Sequence, residues 1–241
     1  MSAPFLSLCR VSKRFLGLLA VDDVSFDVAA GELVSIIGPN GAGKTTLFNL
    51  LTGQLSPSAG RVVFAGTDIN GQPPQARARL GLGRTFQISQ TLTSLTVLEN
   101  AMIGSFLHHR GVAEASERAY ASLELVGLQG RAGKAASALT LSERRRLEVA
   151  RALALDPRVV LLDEVMAGLN QTEVQGMIEL VSTLNAGGLT FLVIEHNLKV
   201  VRQFSHRVVV LHRGAKLAEG SADAVLANPA VIEAYIGKSK H

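Results

Sequence analysis

A glycine-rich segment at residues 38–46, with the sequence Gly-Pro-Asn-Gly-Ala-Gly-Lys-Thr-Thr, constrains this chain more than any other feature. It fits the pattern G-x-x-x-x-G-K-[ST] of the phosphate-binding loop of nucleoside triphosphatases. The β-branched run before it, at 33–37, predicts a buried strand. The apolar spacing after it, at 46–52, predicts a helix that ends at Gly53. Strand, glycine loop and helix is the order that this kind of phosphate site requires.

The residue types of this segment, called the phosphate loop below, suit phosphate binding. Glycines let the backbone bend so that successive N–H groups point inward, and the N-terminus of the following helix adds the positive end of its dipole. We expect Lys44 to reach the β- and γ-phosphates and the Thr45 hydroxyl to ligate a magnesium ion. The residues expected to contact the nucleotide are Gly38, Asn40, Gly41, Ala42, Gly43, Lys44, Thr45 and Thr46. The sequence thus predicts a chain that binds a nucleoside triphosphate with Mg²⁺.

Composition narrows the classes to which the chain can belong. Its 241 residues suffice for one large domain, or for a core with an inserted lobe. No apolar run reaches the length of about 18 residues that spans a bilayer, and we expect no secretion signal. The single cysteine, Cys9, excludes an internal disulfide and agrees with a reducing compartment. The net charge of +4 is mild, and the basic run at 144–146 lacks interleaved aromatics, so nucleic-acid binding is disfavoured.

The order of apolar patterns predicts an α/β fold. Residues 5–35 alternate between apolar and polar, which indicates short strands. Further on, near-continuous apolar strands alternate with helices, which indicates a parallel sheet covered on both faces. A helical pattern, interrupted near Gly111, lies within residues 89–150, between the sheet-forming parts. This block is therefore interpreted as an inserted lobe.

Two adjacent carboxylates supply chemistry that the phosphate loop lacks. The apolar run at 159–162 predicts a buried strand, and Asp163 and Glu164 follow directly. Open α/β sheets bind their ligands at this carboxyl end of the strands. We expect Asp163 to hold the magnesium shell and Glu164 to polarise an attacking water as a general base.

Two further residues are weaker candidates. His196 follows the strand predicted at 190–194, and so would lie at the same edge, able to touch the γ-phosphate. A lone histidine is more often a surface or structural residue. Gln87 leads into the helical block, and its amide could reach the metal ion or a water; without the other motifs it would be read as a loop glutamine.

Taken together, these motifs resemble the ATP-binding subunits of the ABC transporter family, over nearly the whole chain. The phosphate loop, the Gln87 loop, the run RRLEVARAL at 145–153, the run VVLLDE and the His196 loop stand in that family's order and spacing. The resemblance implies a P-loop core with a mixed sheet, an N-terminal antiparallel β subdomain and an inserted α-helical subdomain. It divides the chain at 1–88, 89–150 and 151–241.

The resemblance also implies an activity, partners and a location. These subunits hydrolyse ATP as a dimer, in which each nucleotide lies between one subunit's phosphate loop and the other's signature motif. We therefore expect a second ATP-binding subunit, two transmembrane permease subunits, indirectly a solute-binding protein, and no nucleic acid. The location implied is the cytoplasmic face of the membrane. Phe15 stands where the family places an aromatic residue against adenine, although core packing would also explain it.

Several segments resemble one subgroup, the importers of branched-chain amino acids, and related importers of urea and short amides share much of this pattern. The segments are 84–87, 95–100, 166–170, 194–197, 218–220 and 231–237. No residue of this chain is expected to touch the solute, so the solute is assigned by analogy alone.

The signature motif departs from the family's LSGGQ. Residues 139–143 are Leu139, Thr140, Leu141, Ser142 and Glu143. Thr140 keeps a hydroxyl for the partner's ATP, but Leu141 and Ser142 replace two glycines that let backbone N–H groups approach phosphate. Because the motif still opens a helix, we expect function at that site to be weakened rather than abolished.

The segment after the two carboxylates departs as well. Ala167, Gly168 and Asn170 stand where Ser, Ala and Asp are usual. The subgroup commonly shows the same segment, so we expect little loss from it.

Two alternatives stay open at this point. A non-transport ABC ATPase of DNA repair or translation would usually carry a long coiled coil or two fused cassettes, and neither pattern is present. A small-molecule kinase with the same loop would need a lobe for its acceptor substrate, and it would not need Glu164 and His196.

Overall fold

The structure is a computed structural model that describes residues 4–85 and 92–236. Strands and helices alternate along most of these residues, as in an α/β protein. In chain order the elements are β1 (Leu6–Phe15), β2 (Leu18–Val28), β3 (Leu33–Ile37), α1 (Lys44–Leu51), β4 (Ala59–Phe64), β5 (Thr67–Asp68), α2 (Pro74–Arg79), β6 (Leu82–Arg84), α3 (Val97–Ser105), α4 (Val112–Leu125), α5 (Leu141–Leu153), β7 (Val159–Asp163), α6 (Gln171–Ala186), β8 (Thr190–Ile194), α7 (Leu198–Phe204), β9 (Arg207–His212), β10 (Ala215–Gly220), α8 (Ala222–Leu226) and α9 (Pro229–Ile236).

These elements form two compact units. The first consists of the described parts of residues 1–77 and 185–241, and the second of those of 78–184. The first unit holds an antiparallel sheet in the order β2-β1-β4-β5. It also holds a mixed set of strands, in which β3 pairs in parallel with both β8 and β9, and β9 pairs antiparallel with β10. The antiparallel and mixed sheets predicted from the family resemblance are therefore present.

The N-terminal strands are longer than the sequence predicts. Instead of several short strands over 5–35, β1 has 10 residues and β2 has 11, and they pair from Leu6 opposite Val28 to Phe15 opposite Leu18. Register shifts fall where Arg10 and Asp23 adopt left-handed backbone conformations. Such bulges absorb breaks in the apolar alternation, so that pairing continues beyond each break.

The buried strands confirm the apolar runs read from the sequence. All five residues of β3 and all five of β8 are buried, as expected for parallel strands covered on both faces. In the parallel register, Ile36 lies opposite Ile194. The chain segments that follow β3 and β8 therefore leave the sheet at the same edge.

The second unit combines a pair of parallel strands with a group of helices. β6 pairs with β7 in the register Arg84 to Leu161. The helical pattern of the sequence is divided into α3 and α4, and Gly111 is the N-cap of α4. α3 packs closely on α5 at Gly104, and only glycine fits there, because a Cβ would lie 2.5 Å from the carbonyl oxygen of Arg151. Within 4–85 and 92–236, no helix combines the length and the apolar character needed to cross a bilayer.

A buried arginine anchors the helix that follows the phosphate loop. Arg77 is 1% exposed, and its Nη1 donates to the carbonyl oxygens of Leu50 (2.6 Å) and Leu51 (2.8 Å), at the C-terminal end of α1. Its Nε donates to the carbonyl of Gln72 at 3.1 Å. Burial lowers the pKa of Arg77, and the charge of Asp68 partly opposes this effect. A cation at the negative end of the helix dipole is favourable, so Arg77 fixes α1 from the end opposite the loop.

We expect Arg77→Met to lower the free energy of unfolding by roughly 2–4 kcal/mol, because it leaves buried carbonyl groups without their donor. Urea unfolding followed by circular dichroism measures this loss. Arg79→Met is the control, since Arg79 is exposed on the same helix, and it should change stability little. Equal losses in the two variants would contradict the anchoring role of Arg77.

Candidate functional site

The phosphate loop runs from the end of β3 to the start of α1, and two of its glycines are required by close approaches of the backbone. A Cβ at Gly38 would lie 2.1 Å from the carbonyl oxygen of Leu211, and one at Gly43 would lie 2.5 Å from that of Ala20. Gly43 also has a left-handed backbone, with φ of 101°. The loop is held further by the N–H of Gly214, which donates to the Ala42 carbonyl at 3.0 Å. Neighbouring backbone therefore fixes its shape.

Lys44 is folded back over the loop. The side chain is 8% exposed, and its Nζ donates to the carbonyl oxygens of Gly38 at 2.7 Å and Pro39 at 3.1 Å. The N-cap of α1 is Gly43, which makes no side-chain capping bond, and Thr45 in the first turn is exposed. A helix N-terminus without a side-chain cap, beside a buried cation, is suited to receive an anion.

Tyr235 on α9 lies close to the start of the phosphate loop, which the sequence patterns did not predict. It packs against a buried cluster that includes Ile37, the residue before Gly38. Burial raises the pKa of the Tyr235 phenol to about 12, while the backbone N–H of Gly38 acts in the opposite direction. The segment 231–237 pointed to a subgroup of transporters, and it carried no signal for this contact.

The structure places His196 and Phe15 on the unit that carries the phosphate loop. His196 is exposed two residues after β8, at the edge of the sheet where the loop leaves β3. Phe15 is 39% exposed at the end of β1, and the Nζ of Lys13 lies 5.2 Å from the centre of its ring. Because the ring is accessible, core packing does not explain Phe15. Its stacking on adenine stays a prediction.

In the second unit, Asp163 ends β7 and is almost fully buried. Its carboxylate is 1% exposed, and Oδ2 accepts a hydrogen bond from Nη2 of Arg84 at 3.0 Å. Its backbone N–H donates to Oγ1 of Thr85 at 3.1 Å. Arg84 and Thr85 come at the end of β6, the strand beside β7. The segment 84–87 pointed only to a family subgroup, and no pattern in the sequence predicted the contacts of Arg84 and Thr85 with Asp163.

Glu164 is the first residue of a sharp turn after β7. It is half-buried, and its φ is 53°. Left-handed backbone at a residue other than glycine is uncommon, and such strain concentrates at functional sites. The turn is closed by the N–H of Ala167, which donates to the Glu164 carbonyl. The turn thus fixes the backbone from which the Glu164 side chain projects at the end of β7.

The signature segment begins α5 with a closed capping box. Oγ1 of Thr140 accepts from the N–H of Glu143, and the Glu143 carboxylate accepts from the N–H of Thr140 at 2.9 Å. Nε of Arg131 donates to the same carboxylate at 2.9 Å. The backbone bond to Thr140 lowers the pKa of Glu143; desolvation opposes this shift, and the hydrogen bond and charge of Arg131 add to it. This capping starts the helix at Leu141, so that α5 contains the whole run at 145–153.

Two departures from the family pattern meet in space. A Cβ at Gly168 would lie 3.1 Å from Cδ2 of Leu141, and Gly168 has a left-handed φ of 80°. The large residue in the signature segment thus takes the space that an alanine at 168 would need. Asn170, in place of the usual Asp, caps the following helix: its Oδ1 accepts from the N–H of Glu173 at 3.0 Å.

A groove of about 160 Å³ lies on the second unit. It is formed by the end of β6, the C-terminal half of α3 and residues of α5, and it is lined by Arg84, Thr85, Ile103, Gly104, Glu148, Arg151, Ala152 and Leu155. Glu148 is 5% exposed, and one oxygen accepts from Arg145, whereas Oε1 has no hydrogen-bond partner among the described residues. Gln87, predicted to report the state of the nucleotide, lies outside the described residues.

Comparisons with known proteins agree on one family. A model of the ABC transporter family matches residues 21–167, and a model described as branched-chain amino acid ATP-binding cassette transporter matches 215–241. The chain is similar to LivG of Escherichia coli (strain K12) and to BraF of Pseudomonas aeruginosa, both described as high-affinity branched-chain amino acid transport ATP-binding proteins. Each is 39% identical, over 99% of this chain and 100% of the relative.

Solved structures agree with the sequence relatives. A nucleotide-free ATP-binding cassette from an ABC transporter matches with a TM-score of 0.90 and 33% identity, over 98% of this chain and 100% of that one. The ADP conformation of the cassette MJ1267 matches with the same values. The dimeric cassette MJ0796, bound to ADP and Pi after hydrolysis, matches with a TM-score of 0.81 and 28% identity, over 90% of this chain and 98% of that one.

Proposed function

We propose that this chain, which belongs to the ABC transporter family of ATP-binding proteins, hydrolyses ATP to energise the import of branched-chain amino acids or related small amino acids and amides. The observation that carries the proposal is the similarity to LivG and BraF over the full length of those proteins, combined with an intact phosphate loop. None of the relatives described above is a repair or translation factor, so the alternative of a non-transport ATPase gains no support.

ATP binding is assigned to the phosphate loop and Phe15. Lys44 would exchange the carbonyls of Gly38 and Pro39 for phosphate oxygens, and the uncapped start of α1 would donate backbone N–H groups to the same phosphates. This exchange keeps the ammonium group hydrogen-bonded before and after binding. The exposed face of the Phe15 ring would stack on adenine.

Mg²⁺ suits the oxygen groups of this chain. Mg²⁺ binds through one or two protein oxygens, substrate phosphates and waters, rather than through a cage of side chains. We assign the Thr45 hydroxyl, the Asp163 carboxylate and the Gln87 amide as its protein contacts. The bound ion would neutralise charge on the phosphates.

Hydrolysis is assigned to Glu164 and His196. Glu164, on its strained turn, would take a proton from the attacking water as the general base. His196 would donate a hydrogen bond to the γ-phosphate and stabilise the charge that develops there, together with Lys44. Phosphoryl transfer needs little more than such positioning and charge stabilisation.

The chain is proposed to act with a second ATP-binding subunit, as in the dimeric cassette to which it is similar. In that arrangement Lys44, Asp163 and Glu164 serve the ATP that is capped by the partner's signature motif, while Thr140 and its neighbours cap the partner's ATP. Glu143 places a carboxylate at the helix end that would face phosphate, and the capping box occupies two N–H groups of that end. Like charges repel, so the two ATP sites would be unequal.

The groove is proposed as the docking place for one of two membrane-spanning permease subunits, which would hold the chain at the cytoplasmic face of the membrane. A solute-binding protein would deliver the solute to those subunits. Ile103 of α3 lines the groove and is an apolar side chain that is 43% exposed. The buried Glu148 and half-buried Arg151 of the groove offer polar contacts to an inserted segment. Apolar side chains around buried polar groups are typical of a protein-binding pocket.

Glu164→Gln should lower the rate of ATP hydrolysis by the reconstituted transporter at least about a hundredfold, because the amide cannot accept the proton of the attacking water. Nucleotide binding should persist, since Lys44 is unchanged. Steady-state phosphate release and binding of a fluorescent ATP analogue measure the two properties. Hydrolysis at the wild-type rate would refute the general-base assignment.

Glu143→Gln should strengthen the weak signature motif, because the amide keeps the capping bond and removes the charge. In a Glu164→Gln background, where ATP is not consumed, we expect the protein concentration for half-maximal ATP-dependent dimerisation to fall about fivefold, the factor that corresponds to about 1 kcal/mol. Glu99→Gln is the matched control, since Glu99 forms the same capping box with Thr96 on α3. Light scattering with and without ATP measures the effect, and equal effects of the two changes would show that the Glu143 charge does not weaken the signature motif.

Ile103→Asp should prevent recovery of the chain with its membrane subunits, because a carboxylate in the groove would be desolvated on docking. Tyr120→Asp is the control: Tyr120 is 41% exposed on α4 and does not line the groove. Co-purification from detergent-solubilised membranes and ATP binding by the isolated chain are the two measurements. Normal co-purification of Ile103→Asp would exclude this groove as the docking place.

A further inference from the structure

The end of β6 holds Asp163 at two points. Arg84 donates from Nη2 to the Asp163 carboxylate, and Thr85 accepts the hydrogen bond of the Asp163 backbone N–H. Thr85 is itself fixed, since its N–H donates to the Leu161 carbonyl at 2.9 Å, on the strand that carries Asp163. The position of the aspartate along β7 and the orientation of its carboxylate are thus both set by residues of the neighbouring strand.

Burial makes the Arg84 contact hard to replace. The side chain of Arg84 is 7% exposed, and that of Asp163 is 1% exposed. An exposed carboxylate that lost its arginine would be solvated in many orientations. Here little water can reach the group, so the planar guanidinium sets which carboxylate oxygen faces Arg84 and, with it, where the other oxygen points.

We propose that Arg84 is a positioning residue for metal binding: by holding Oδ2 of Asp163 it orients the remaining carboxylate oxygen toward Mg²⁺ of the bound nucleotide. This role rests on the proposed function, in which Asp163 contacts the ion. Groups that orient metal ligands typically change metal affinity 10- to 100-fold when they are removed. The Arg84 charge also repels the ion, but a fixed carboxylate avoids the loss of orientation that a free one would suffer on binding.

The two effects of Arg84 predict opposite results, so one experiment decides between them. If repulsion dominated, removal of the charge would tighten metal binding. If orientation dominates, as we propose, Arg84→Met keeps the apolar stem but loses the fork, and binding weakens. Arg84→Lys separates the two further, because it keeps the charge but replaces the planar fork by a single ammonium.

The test is a Mg²⁺ titration of the purified full chain, with the affinity for a fluorescent ATP analogue as readout, and a Mn²⁺ titration followed by electron paramagnetic resonance as a direct measure of the metal. For Arg84→Met, we expect the metal concentration at half-saturation to rise at least about tenfold, with no change in analogue affinity in the presence of EDTA. For Arg84→Lys, we expect a rise of a few fold. Arg118→Met is the control, because Arg118 pairs with Asp156 at 2.6 Å in the same unit and should leave metal binding unchanged.

The outcomes separate this role from the proposed function. A wild-type response to metal in Arg84→Met, or tighter binding, would overturn the positioning role alone. If Arg84→Met does not fold, Arg84→Lys decides, and a wild-type titration of that variant would overturn the role. A wild-type chain whose nucleotide binding ignores metal would overturn both the role and the proposed function.

Discussion

The phosphate loop must keep its backbone rigid while leaving N–H groups as donors for an anion. The contacts of the first unit around the loop serve this requirement. Gly38 and Gly43 are pressed against the carbonyls of Leu211 and Ala20, at distances that no side chain would allow. Lys44 donates to two loop carbonyls. Arg77 fixes the far end of α1. These contacts hold the loop largely through backbone carbonyls, although the N–H of Ala42 donates within the loop to the Pro39 carbonyl at 3.1 Å.

The second unit meets the corresponding requirement for a carboxylate. As the proposed metal ligand, Asp163 would present one oxygen to a cation from a buried strand end, so its other groups must be satisfied by protein. Arg84 and Thr85 do so from the adjacent strand. Arg84 also lines the groove on this unit. One side chain therefore touches both the proposed metal ligand and the proposed docking surface, and a segment that entered the groove would contact a group that orients Asp163.

The sequence predicted those parts of the fold that depend on short-range patterns. Continuous apolar runs correctly placed β3, β7 and β8, because a strand buried on both faces leaves no room for polar residues. The N-terminal strands were predicted too short, because bulges continue the pairing where alternation stops. The pair of Arg84 and Asp163 could not be predicted, since the two residues are 79 positions apart and meet only through strand pairing. The contact of Leu141 with Gly168 was missed for the same reason.

The signature segment differs from the phosphate loop in what its helix end can offer. The loop presents α1 without a side-chain cap, whereas at α5 the Thr140 hydroxyl accepts from the first-turn N–H of Glu143 and the Glu143 carboxylate accepts from the N–H of the N-cap Thr140. A helix end that is satisfied internally gains stability but loses donors for an external phosphate. Leu141, packed beside Gly168, adds bulk where the family has a glycine. In a dimer of two copies of this chain, each ATP would lie between one phosphate loop and one such signature segment. A partner with the family's glycines would offer more N–H groups to the ATP bound at this chain's phosphate loop. The two helix ends therefore differ in the backbone N–H groups that they leave for an external phosphate.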